Sequence, residues 1–332
     1  MEYTKLGLTD LRISRIGFGC WAIGGHGYGK VDDNESMETI RKALDLGVNF
    51  FDAADVYGFG HSEEILGKAL GTRRKDVIIA TKFGVNWDSR GDTFRDCSPK
   101  RVLEALENSL RRLGVGTISL YQIHWPDPRT PFEETMNALL RCQRDGKIKY
   151  IGCSNFGRSL IEQIQEIGRV ESLQSSYNLL ERSVEKDVLP CCHQFKMAFL
   201  AHTPLARGFL SGKYKPGHIF LGNDTRNRSL YFSKDKFDEK MRLVNTTRAM
   251  GERYGKTPSQ AALRWILDNP MVTCVVVGSR NMNQVEENVG SVDWNLTQDD
   301  IESLDAQSQM FIYTEKSQSL TESFAYFEGE RW

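Results

Sequence analysis

Short apolar runs alternate along the chain with longer stretches whose apolar residues recur at helical spacing. The runs are rich in β-branched and aromatic residues, which favours strands, whereas the longer stretches predict amphipathic helices. The predicted strands cover residues 15–19, 49–52, 77–82, 119–124, 150–154, 172–175, 198–203 and 272–277. The predicted helices cover residues 34–46, 62–70, a stretch from 98 onward, 130–146, 159–168, 184–194, 237–254, 259–269, 282–289 and 301–308.

Strand and helix predictions pair up repeatedly, and each crossover is expected to be right-handed. Eight such units without a break favour an α/β fold, a closed (β/α)8 TIM barrel, over an open doubly wound sheet, which stays the alternative. Residues 3–5 and 11–14 flank a Gly-Leu-Thr-Asp turn and predict an N-terminal β-hairpin that covers the bottom of the barrel. We expect one domain over residues 1–332, with a C-terminal extension whose part after Met310 matches no pattern that we recognise.

Three helix starts carry helix-initiating residues. Ser98 precedes Pro99, an N-cap followed by proline at the first helical position. Thr130-Pro131-Phe132-Glu133 predicts a capping box. A further helix opens at Thr257-Pro258.

The charge balance and the cysteines exclude several classes of protein. The 43 basic and 44 acidic residues leave a net charge of −1, so no footprint for nucleic acid or an anionic membrane is visible. No apolar run approaches the ~18–20 residues of a membrane span, and the first residues lack the pattern of a secretory signal. The 7 cysteines are irregularly spaced, which favours reduced thiols in a cytoplasm over disulfides or a zinc site. Without an H-E-x-x-H motif or clustered ligands, no metal is expected.

Two glycine-rich stretches match phosphate-binding patterns, but neither is followed directly by a helix. Gly17 to Ala22 fits G-x-G-x-x-A, yet more glycines follow where a dinucleotide-binding fold needs a helix. Gly24 to Lys30 fits G-x-x-x-x-G-K, but Val31 replaces the Ser or Thr that binds magnesium. We therefore interpret this region as a glycine-rich loop over a pocket.

Polar residues that end apolar strands are the candidates for chemistry, because TIM-barrel sites lie at the carboxyl ends of the strands. These candidates, with those in the segments that follow, are Asp52, Tyr57, Lys82, His124, Ser154, Asn155, Gln174 and Tyr177. Asp55 and His61 lie in the loop after the second strand and are interpreted as structural.

Four of these residues together suit acid–base chemistry on a carbonyl group. The phenol of Tyr57 is a poor acid at neutral pH, but an ammonium such as that of Lys82 lowers a neighbouring phenol pKa. Asp52 would keep the lysine charged and oriented, and His124 could hydrogen-bond a substrate oxygen. Singly, each could instead cap a loop, form a surface ion pair or pack in the core. Their convergence on one rim favours the functional interpretation.

Several segments closely resemble the aldo-keto reductase signature. Phe51-Asp52-Ala53-Ala54-Asp55-Val56-Tyr57-Gly58 is followed by Ser62 to Leu70, and both match that family. The resemblance continues through residues 81–82, 122–124, 151–156, 174–178, 203–213 and 277–288. It covers the chain up to about Asp300 and is greatest for the bacterial and potassium-channel-β-like branches. Ala53 and Thr203 depart from the commoner Thr and Ser, but neither change removes a catalytic group.

The resemblance implies a (β/α)8 barrel and NAD(P)H-dependent reduction of an aldehyde or ketone. Tyr57 would donate the proton, Lys82 would lower its pKa, Asp52 would pair with the lysine, and His124 would orient the carbonyl. The hydride would come from the nicotinamide. The partner would be a small-molecule carbonyl substrate, of a sugar type or from a biosynthetic reaction.

The same resemblance assigns residues to the cofactor. Those at the nicotinamide would be Ser154, Asn155 and Gln174, bound to its carboxamide, and Tyr177, stacked on its ring. Those around the pyrophosphate would be Leu205, Arg207, Gly208, Leu210, Gly212 and Lys213. Those at the adenosine end would be Gly278, Ser279, Arg280, Gln284, Glu287 and Asn288.

Arg280 favours NADPH over NADH, because a guanidinium can bind a 2′-phosphate through two hydrogen bonds. Glu287 is close enough in sequence to bind a free 2′-hydroxyl instead, so this choice stays open. Trp21, Trp87 and Trp125 follow the first, third and fourth strands and are expected to wall a pocket for a compact substrate.

The alternative function is that of a sensor or regulatory subunit that binds NADP(H) and turns over slowly. The complete set of four catalytic candidates favours an enzyme over that alternative. A lyase or isomerase on the same barrel would not account for the separate cofactor loop. The sequence leaves the substrate, the physiological direction and the oligomeric state open.

Overall fold

The computed structural model describes residues 1–25, 29, 31–215, 217–220 and 224–312, without the side chain of Ile312. The strands in this part are β1 (Tyr3–Lys5), β2 (Arg12–Ser14), β3 (Ile16–Gly19), β4 (Phe50–Asp52), β5 (Ile78–Phe83), β6 (Val85–Trp87), β7 (Thr93–Arg95), β8 (Ile118–Ile123), β9 (Ile148–Ser154), β10 (Ser172–Ser176), β11 (Ala198–His202) and β12 (Cys274–Gly278). The helices are α1 (Asp33–Asp45), α2 (His61–Leu70), α3 (Pro99–Leu113), α4 (Phe132–Arg144), α5 (Arg158–Ile167), α6 (Val188–Gln194), α7 (Phe237–Arg253), α8 (Pro258–Asp268), α9 (Met282–Val289) and α10 (Gln298–Ile312).

Eight of the strands in the described part of the chain form a closed parallel barrel. Their order is β3-β4-β5-β8-β9-β10-β11-β12, and β12 pairs with β3 to close the ring. Helices alternate with these strands along the chain and pack around the barrel. The predicted (β/α)8 TIM barrel is confirmed, and the carboxyl ends of all eight strands face the same end of it.

The N-terminal hairpin covers the opposite end of the barrel, as the sequence predicts. Strands β1 and β2 pair antiparallel and carry Leu6 and Ile13 to the bottom of the barrel interior. Both side chains are fully buried among Phe50, Leu120 and Leu200. Burial of this apolar surface ties the hairpin to the barrel and excludes water from that end.

Helix α3 shows how local sequence sets an element that the site depends on. The Ser98 side chain accepts a hydrogen bond from the backbone N–H of Arg101 at 3.3 Å, and Pro99 occupies the first turn. The helix ends at Gly114, whose φ of 66° lies in the left-handed region that favours glycine.

Two local features differ from the sequence predictions. The capping box at 130–133 is wrong: Pro131 takes the N-cap position, and the Thr130 hydroxyl donates to Asp127 at 2.8 Å. A complete capping box instead opens α8, between Thr257 and Gln260. Strands β6 and β7 form an unpredicted antiparallel hairpin between β5 and α3, because three-residue strands give too short an alternation to detect.

Some predictions reach beyond the described residues. The glycine-rich loop from Gly24 to Lys30 is described only at Gly24, Gly25 and Gly29, and the extension after Met310 falls almost wholly outside. Helix α10 extends the predicted 301–308 at both ends. Within the described ranges, no helix combines the length and apolarity that a membrane crossing needs.

Candidate active site

An unbroken set of polar contacts joins three residues at the carboxyl ends of β4 and β5. The ammonium of Lys82 donates to Asp52 Oδ2 at 2.5 Å and to the Tyr57 hydroxyl at 3.4 Å. Asp52 ends β4, Lys82 is the penultimate residue of β5, and Tyr57 lies in the loop after β4. The Tyr57 ring meets the His124 ring edge-on, with centroids 5.6 Å apart. The structure therefore brings all four predicted catalytic residues together.

The loop that carries Tyr57 is held against β5 by its backbone. The N–H of Ala53 donates to the carbonyl of Ala80 at 2.9 Å, and the N–H of Asp55 donates to the carbonyl of Lys82 at 3.2 Å. Gly58 follows Tyr57 with a φ of 62°, and a Cβ there would lie 2.0 Å from a backbone oxygen of Gly24. Only glycine fits this close approach, so the turn after Tyr57 is fixed by sequence.

Burial and charge oppose each other at Tyr57. Burial raises the pKa of Tyr57 to about 12, although the Lys82 ammonium acts to lower it. The lysine thus acts on the phenol pKa in the predicted direction, but burial outweighs it. Burial also disfavours the charged form of Lys82, but Asp52 and Tyr57 outweigh it and raise the lysine pKa. Lysine stays charged and tyrosine stays protonated at neutral pH.

His124 is a neutral imidazole in the same site. Burial, followed by the positive charges of Lys82 and Arg95, lowers the pKa of His124 well below its usual value. Its Nδ1 atom is buried and has no hydrogen-bond partner among the described residues. A neutral ring of this kind can donate a hydrogen bond to a substrate oxygen without titrating in the physiological range.

A cavity of about 440 Å³ extends from Asp52, Tyr57 and His124 across the top of the barrel, and Lys82 is fully buried beside it without lining it. The cavity reaches the first turns of α8 and α9 on the far side. The predicted site residues that line it are Trp21, Asp52, Tyr57, His124, Trp125, Ser154, Asn155, Gln174, Leu205, Arg207, Gly208, Lys213, Gly278, Arg280, Gln284, Glu287 and Asn288. Most of the sequence prediction therefore converges on one cavity.

Amide and hydroxyl groups form the wall beside the catalytic residues. The Asn155 amide donates to the carbonyl of His124 and to the Ser154 hydroxyl, each at 3.0 Å. The Gln174 amide nitrogen donates to Asp52 at 2.9 Å, which connects this wall to the carboxylate that binds Lys82. His202 ends β11 and lies 3.2 Å from the Asn155 side-chain oxygen.

Positively charged residues lie around the rest of the cavity. Arg207, Lys213, Arg226 and Arg280 all line it. Near α9, Gln284 accepts the backbone N–H of Arg280 at 2.8 Å, and Glu287 accepts the Thr257 hydroxyl at 2.7 Å.

Several predicted cofactor residues lie outside the cavity lining. Tyr177, expected to stack on a nicotinamide ring, is 1% exposed and does not line the cavity, and its hydroxyl donates to Glu185 at 2.6 Å. Gln174 lies within β10 and faces the cavity, whereas Tyr177 follows the end of β10 and its ring packs against Phe199 and Trp265. Leu210 is buried in the core, Gly212 ends a 3₁₀ turn, and Ser279 accepts a hydrogen bond from Asn288.

Two of the three predicted tryptophans line the cavity. The Trp21 ring stacks on the Tyr57 ring at 6.1 Å, and Trp125 follows His124 directly. Trp87 does not line the cavity, since its ring packs 5.4 Å from Phe59. The wall of the cavity mouth is thus largely aromatic, with Trp87 as its support.

Sequence reasoning missed several lining residues. These are Gly19, Cys20, Ala22, His202, Thr203, Pro204, Ser211, Arg226, Ser259, Val276 and Val277. His202 could have been predicted from the sequence, because it ends β11. The same strand-end rule identified His124, which follows β8. Ser259 and Arg226 come from a helix start and a long loop, for which no strand-end signal exists.

Comparison with known proteins shows which family the chain belongs to. The family model described as Aldo/keto reductase family matches residues 15–309. Aldo-keto reductase YhdN of Bacillus subtilis (strain 168) is 41% identical over 303 residues, 90% of this chain and 91% of that protein. The NADH-specific methylglyoxal reductase of Escherichia coli (strain K12) is 31% identical over 90% of this chain and 96% of its own.

Similarity extends to a channel-associated relative and to a solved structure. A probable voltage-gated potassium channel subunit beta of Oryza sativa subsp. japonica is 32% identical over 88% of this chain and 92% of that protein. The structure of the glycerol dehydrogenase AKR11B4 from Gluconobacter oxydans superposes with a TM-score of 0.86 at 37% identity, over 93% and 96% of the two chains. The predicted resemblance is confirmed: the chain belongs to the aldo/keto reductase family, and it is an oxidoreductase.

Proposed function

We propose that this enzyme reduces an aldehyde or ketone to an alcohol with NADPH, and that Tyr57 supplies the proton. The observation that carries the proposal is the contact chain from Asp52 through Lys82 to the Tyr57 hydroxyl, which ends in the cavity. Such a chain gives a protonated phenol at neutral pH together with a fixed positive charge beside it. Both are what a proton donor to a carbonyl oxygen requires.

The proton moves from Tyr57 to the oxygen that becomes the alcohol. An alkoxide is far more basic than a phenolate, so a phenol with a pKa of about 12 still donates in the favourable direction. The Lys82 ammonium, 3.4 Å from the hydroxyl, stabilises the phenolate that is left. Asp52 holds the ammonium in place and also accepts from Gln122 at 3.0 Å.

His124 orients the carbonyl. Its neutral ring lies against the Tyr57 ring, so both polar groups can point at one oxygen in the cavity. A carbonyl held by two donors has its carbon exposed to attack from the open side of the cavity. Removal of the imidazole should therefore lower the rate more than it weakens cofactor binding.

The residues present fit a nicotinamide dinucleotide. Ser154 and Asn155 stand beside the catalytic residues with polar atoms suited to a carboxamide, and the Gln174 side-chain oxygen remains available as an acceptor. Lys213 and Arg207 line the stretch where phosphates would lie. When bound, this cofactor supplies the hydride.

Arg280 supports the choice of NADPH. It follows β12 at the start of the turn into α9, where its guanidinium and the helix N-terminus both favour a 2′-phosphate. Glu287 is the acidic residue that could favour a free 2′-hydroxyl, but its carboxylate accepts the Thr257 hydroxyl. The NADH-specific relative makes a direct comparison of both cofactors essential.

The aromatic mouth favours a compact substrate. Trp21 and Trp125 flank the oxygen-binding groups and leave polar contacts mainly at the carbonyl itself. Small sugar-type or biosynthetic carbonyls fit this description. Two relatives are named for methylglyoxal and glycerol, which are compact oxygenated molecules.

The test is consumption of NADPH and NADH with a panel of small aldehydes and ketones, followed by identification of the alcohol. The proposal expects carbonyl-dependent consumption of NADPH, faster than that of NADH. The resemblance to a channel subunit keeps a slow cofactor-binding sensor as the second candidate. Tight cofactor binding without multiple turnovers on any carbonyl would favour that sensor.

We also place the enzyme in a reducing cytoplasm. All 7 cysteines are free and buried in the described structure. This pattern fits a compartment where thiols stay reduced. Fractionation of cells with an antibody against the chain would test the location.

A further inference from the structure

A buried ion pair lies behind the loop that carries Tyr57. The carboxylate of Asp55 accepts a hydrogen bond from the Arg101 guanidinium, and Asp55 is fully buried. Arg101 comes from the first turn of α3, so the pair joins the catalytic loop to that helix. From its sequence position we expect Asp55 to be structural, and this contact shows that it joins the loop to α3.

Arg101 also contacts the wall beside the substrate end of the cavity. Its guanidinium lies 5.1 Å from the ring centroid of Trp87 on the β6–β7 hairpin. Trp87 packs with Tyr57 and Trp125 around the apolar side of the loop. One arginine therefore contacts both the loop of the proton donor and the support of the aromatic wall.

Asp55 is tied to the catalytic lysine on its other side. Its backbone N–H donates to the carbonyl of Lys82 at 3.2 Å, while its side chain points to Arg101. A shift of Asp55 would therefore move the loop relative to Lys82. Since Tyr57 lies only two residues further on, its distance from the ammonium depends on this anchor.

The pair is only partly satisfied. Asp55 Oδ1 and Arg101 Nε are both buried and have no hydrogen-bond partner among the described residues. Buried ionic pairs of this kind add little net stability compared with apolar packing, but removal of one partner is costly. Such a pair is therefore better explained by the position it imposes than by stability.

We propose that Asp55 and Arg101 are positioning residues for proton donation, which hold the loop of Tyr57 at its working distance from Lys82. The proposal rests on the function proposed above, in which Tyr57 is the donor. Neither residue is among those that line the cavity, so both act through the loop. Loss of the pair should slow the chemical step and leave cofactor binding intact.

The ionisation of Asp55 gives the pair a pH signature. Burial raises the pKa of Asp55 to about 7, Arg101 and Arg112 of α3 oppose this rise, and Glu63 of α2 adds to it. Tyr121 of β8 also faces this pocket, with its pKa raised by burial and by Asp55. As pH falls through about 7, Asp55 becomes neutral and its attraction to Arg101 weakens. We therefore expect kcat to decline on the acid side with this ionisation.

The experiment compares Asp55→Asn, Arg101→Met and Arg101→Lys with the wild-type enzyme. Asp55→Asn should lower kcat at least about fivefold, keep the Kd for NADPH within about threefold, and lose the acid-side ionisation. Arg101→Met removes the cation that lowers the Asp55 pKa, so the ionisation should move to higher pH. Arg101→Lys keeps the charge and should restore much of the wild-type profile. If Asp55→Asn fails to fold, the two Arg101 variants test the positioning role instead.

The matched control is Asp268→Asn, which breaks another arginine pair, in which Arg264 is buried and Asp268 is partly buried. Asp268 binds Arg264 at 2.9 Å within α8 and does not line the cavity. Its loss should lower the melting temperature and leave kcat and the pH profile unchanged. A pair with a purely structural role would give this same result at Asp55.

Hydrogen exchange of the 53–58 segment provides a readout that does not need turnover. Exchange there should accelerate in Asp55→Asn and stay unchanged in Asp268→Asn. If the wild-type enzyme is inactive on every carbonyl, this result counts against the proposed function. The exchange measurement would still test whether the Asp55–Arg101 pair positions the loop. The positioning role is overturned by unchanged exchange, by a kcat reduced less than about fivefold, by a retained acid-side ionisation, or by an equal loss of NADPH affinity.

Discussion

The Nζ atom of Lys82 lies 3.4 Å from the hydroxyl oxygen of Tyr57 and donates a hydrogen bond to it. This contact sets the electrostatics of the proposed proton donor. Burial alone would hold the phenol strongly in its neutral form, and the ammonium limits that effect. The donor is thus kept protonated while its conjugate base is stabilised in advance.

Lys82→Met should remove this stabilisation. The pKa of Tyr57 would rise further, because burial and the charge of Asp52 would then act without opposition. We expect kcat to fall at least about 100-fold and the pH–rate profile to move to higher pH. Asp52→Asn should have a smaller effect, since it acts through the lysine. A wild-type pH profile in Lys82→Met would remove the lysine from the mechanism.

His124 should make the protein less stable in acid. In the unfolded chain a histidine binds a proton near pH 6.5, whereas buried His124 resists protonation well below that. The free energy of unfolding should therefore fall as pH drops below about 6.5, by at most about 1.4 kcal/mol per pH unit from this residue. Denaturant unfolding of His124→Gln should show a weaker pH dependence. Exposed His193→Gln is the control, and an identical slope in all three proteins would contradict the assignment.

Trp21→Ala should impair substrate binding selectively. Its ring stacks on Tyr57 and lines the cavity mouth, so its removal opens the wall beside the carbonyl. We expect KM for good substrates to rise about tenfold while NADPH binding changes less than about threefold. Trp294, which packs on Tyr254, is the matched control. Unchanged kinetics across the substrate panel would place Trp21 outside the substrate site.

Arg280→Ala should weaken NADPH binding and leave NADH binding nearly unchanged. The wild-type preference for NADPH should exceed about tenfold, which one charge-assisted pair can supply at 1.4 kcal/mol per decade. Fluorescence titration with both cofactors measures the two affinities, with surface Arg73→Ala as the control. An equal loss for both cofactors, or a wild-type preference for NADH, would refute the assignment.

The barrel was predictable because each strand–helix unit has local sequence signals of its own. Val77 to Lys82 is too apolar and β-branched for a loop, and Ser98-Pro99 marks the start of the following helix. The β6–β7 hairpin was not predictable, since its three-residue strands leave no periodic signal. The predicted Thr130 cap is wrong because the hydroxyl donates to the carboxylate of Asp127, which lies only three residues earlier and competes with the capping-box pattern.

The site was predictable where strand ends define it and unpredictable where loops do. Asp52, Lys82 and His124 follow from the strand-end rule. The packing of Tyr177 was not predictable, because its ring meets Phe199 and Trp265 from distant parts of the chain. The Asp55–Arg101 pair joins residues 46 positions apart, so no local pattern could relate them.

The most direct test of the account is Tyr57→Phe, measured for both turnover and cofactor binding. The substitution removes only the hydroxyl that donates the proton and keeps the ring that packs against Trp21 and His124. The account predicts loss of carbonyl reduction by at least about 100-fold, with a Kd for NADPH within about threefold of wild type. Substantial residual reduction, or an NADPH affinity that collapses with the rate, would contradict the role of Tyr57 as proton donor.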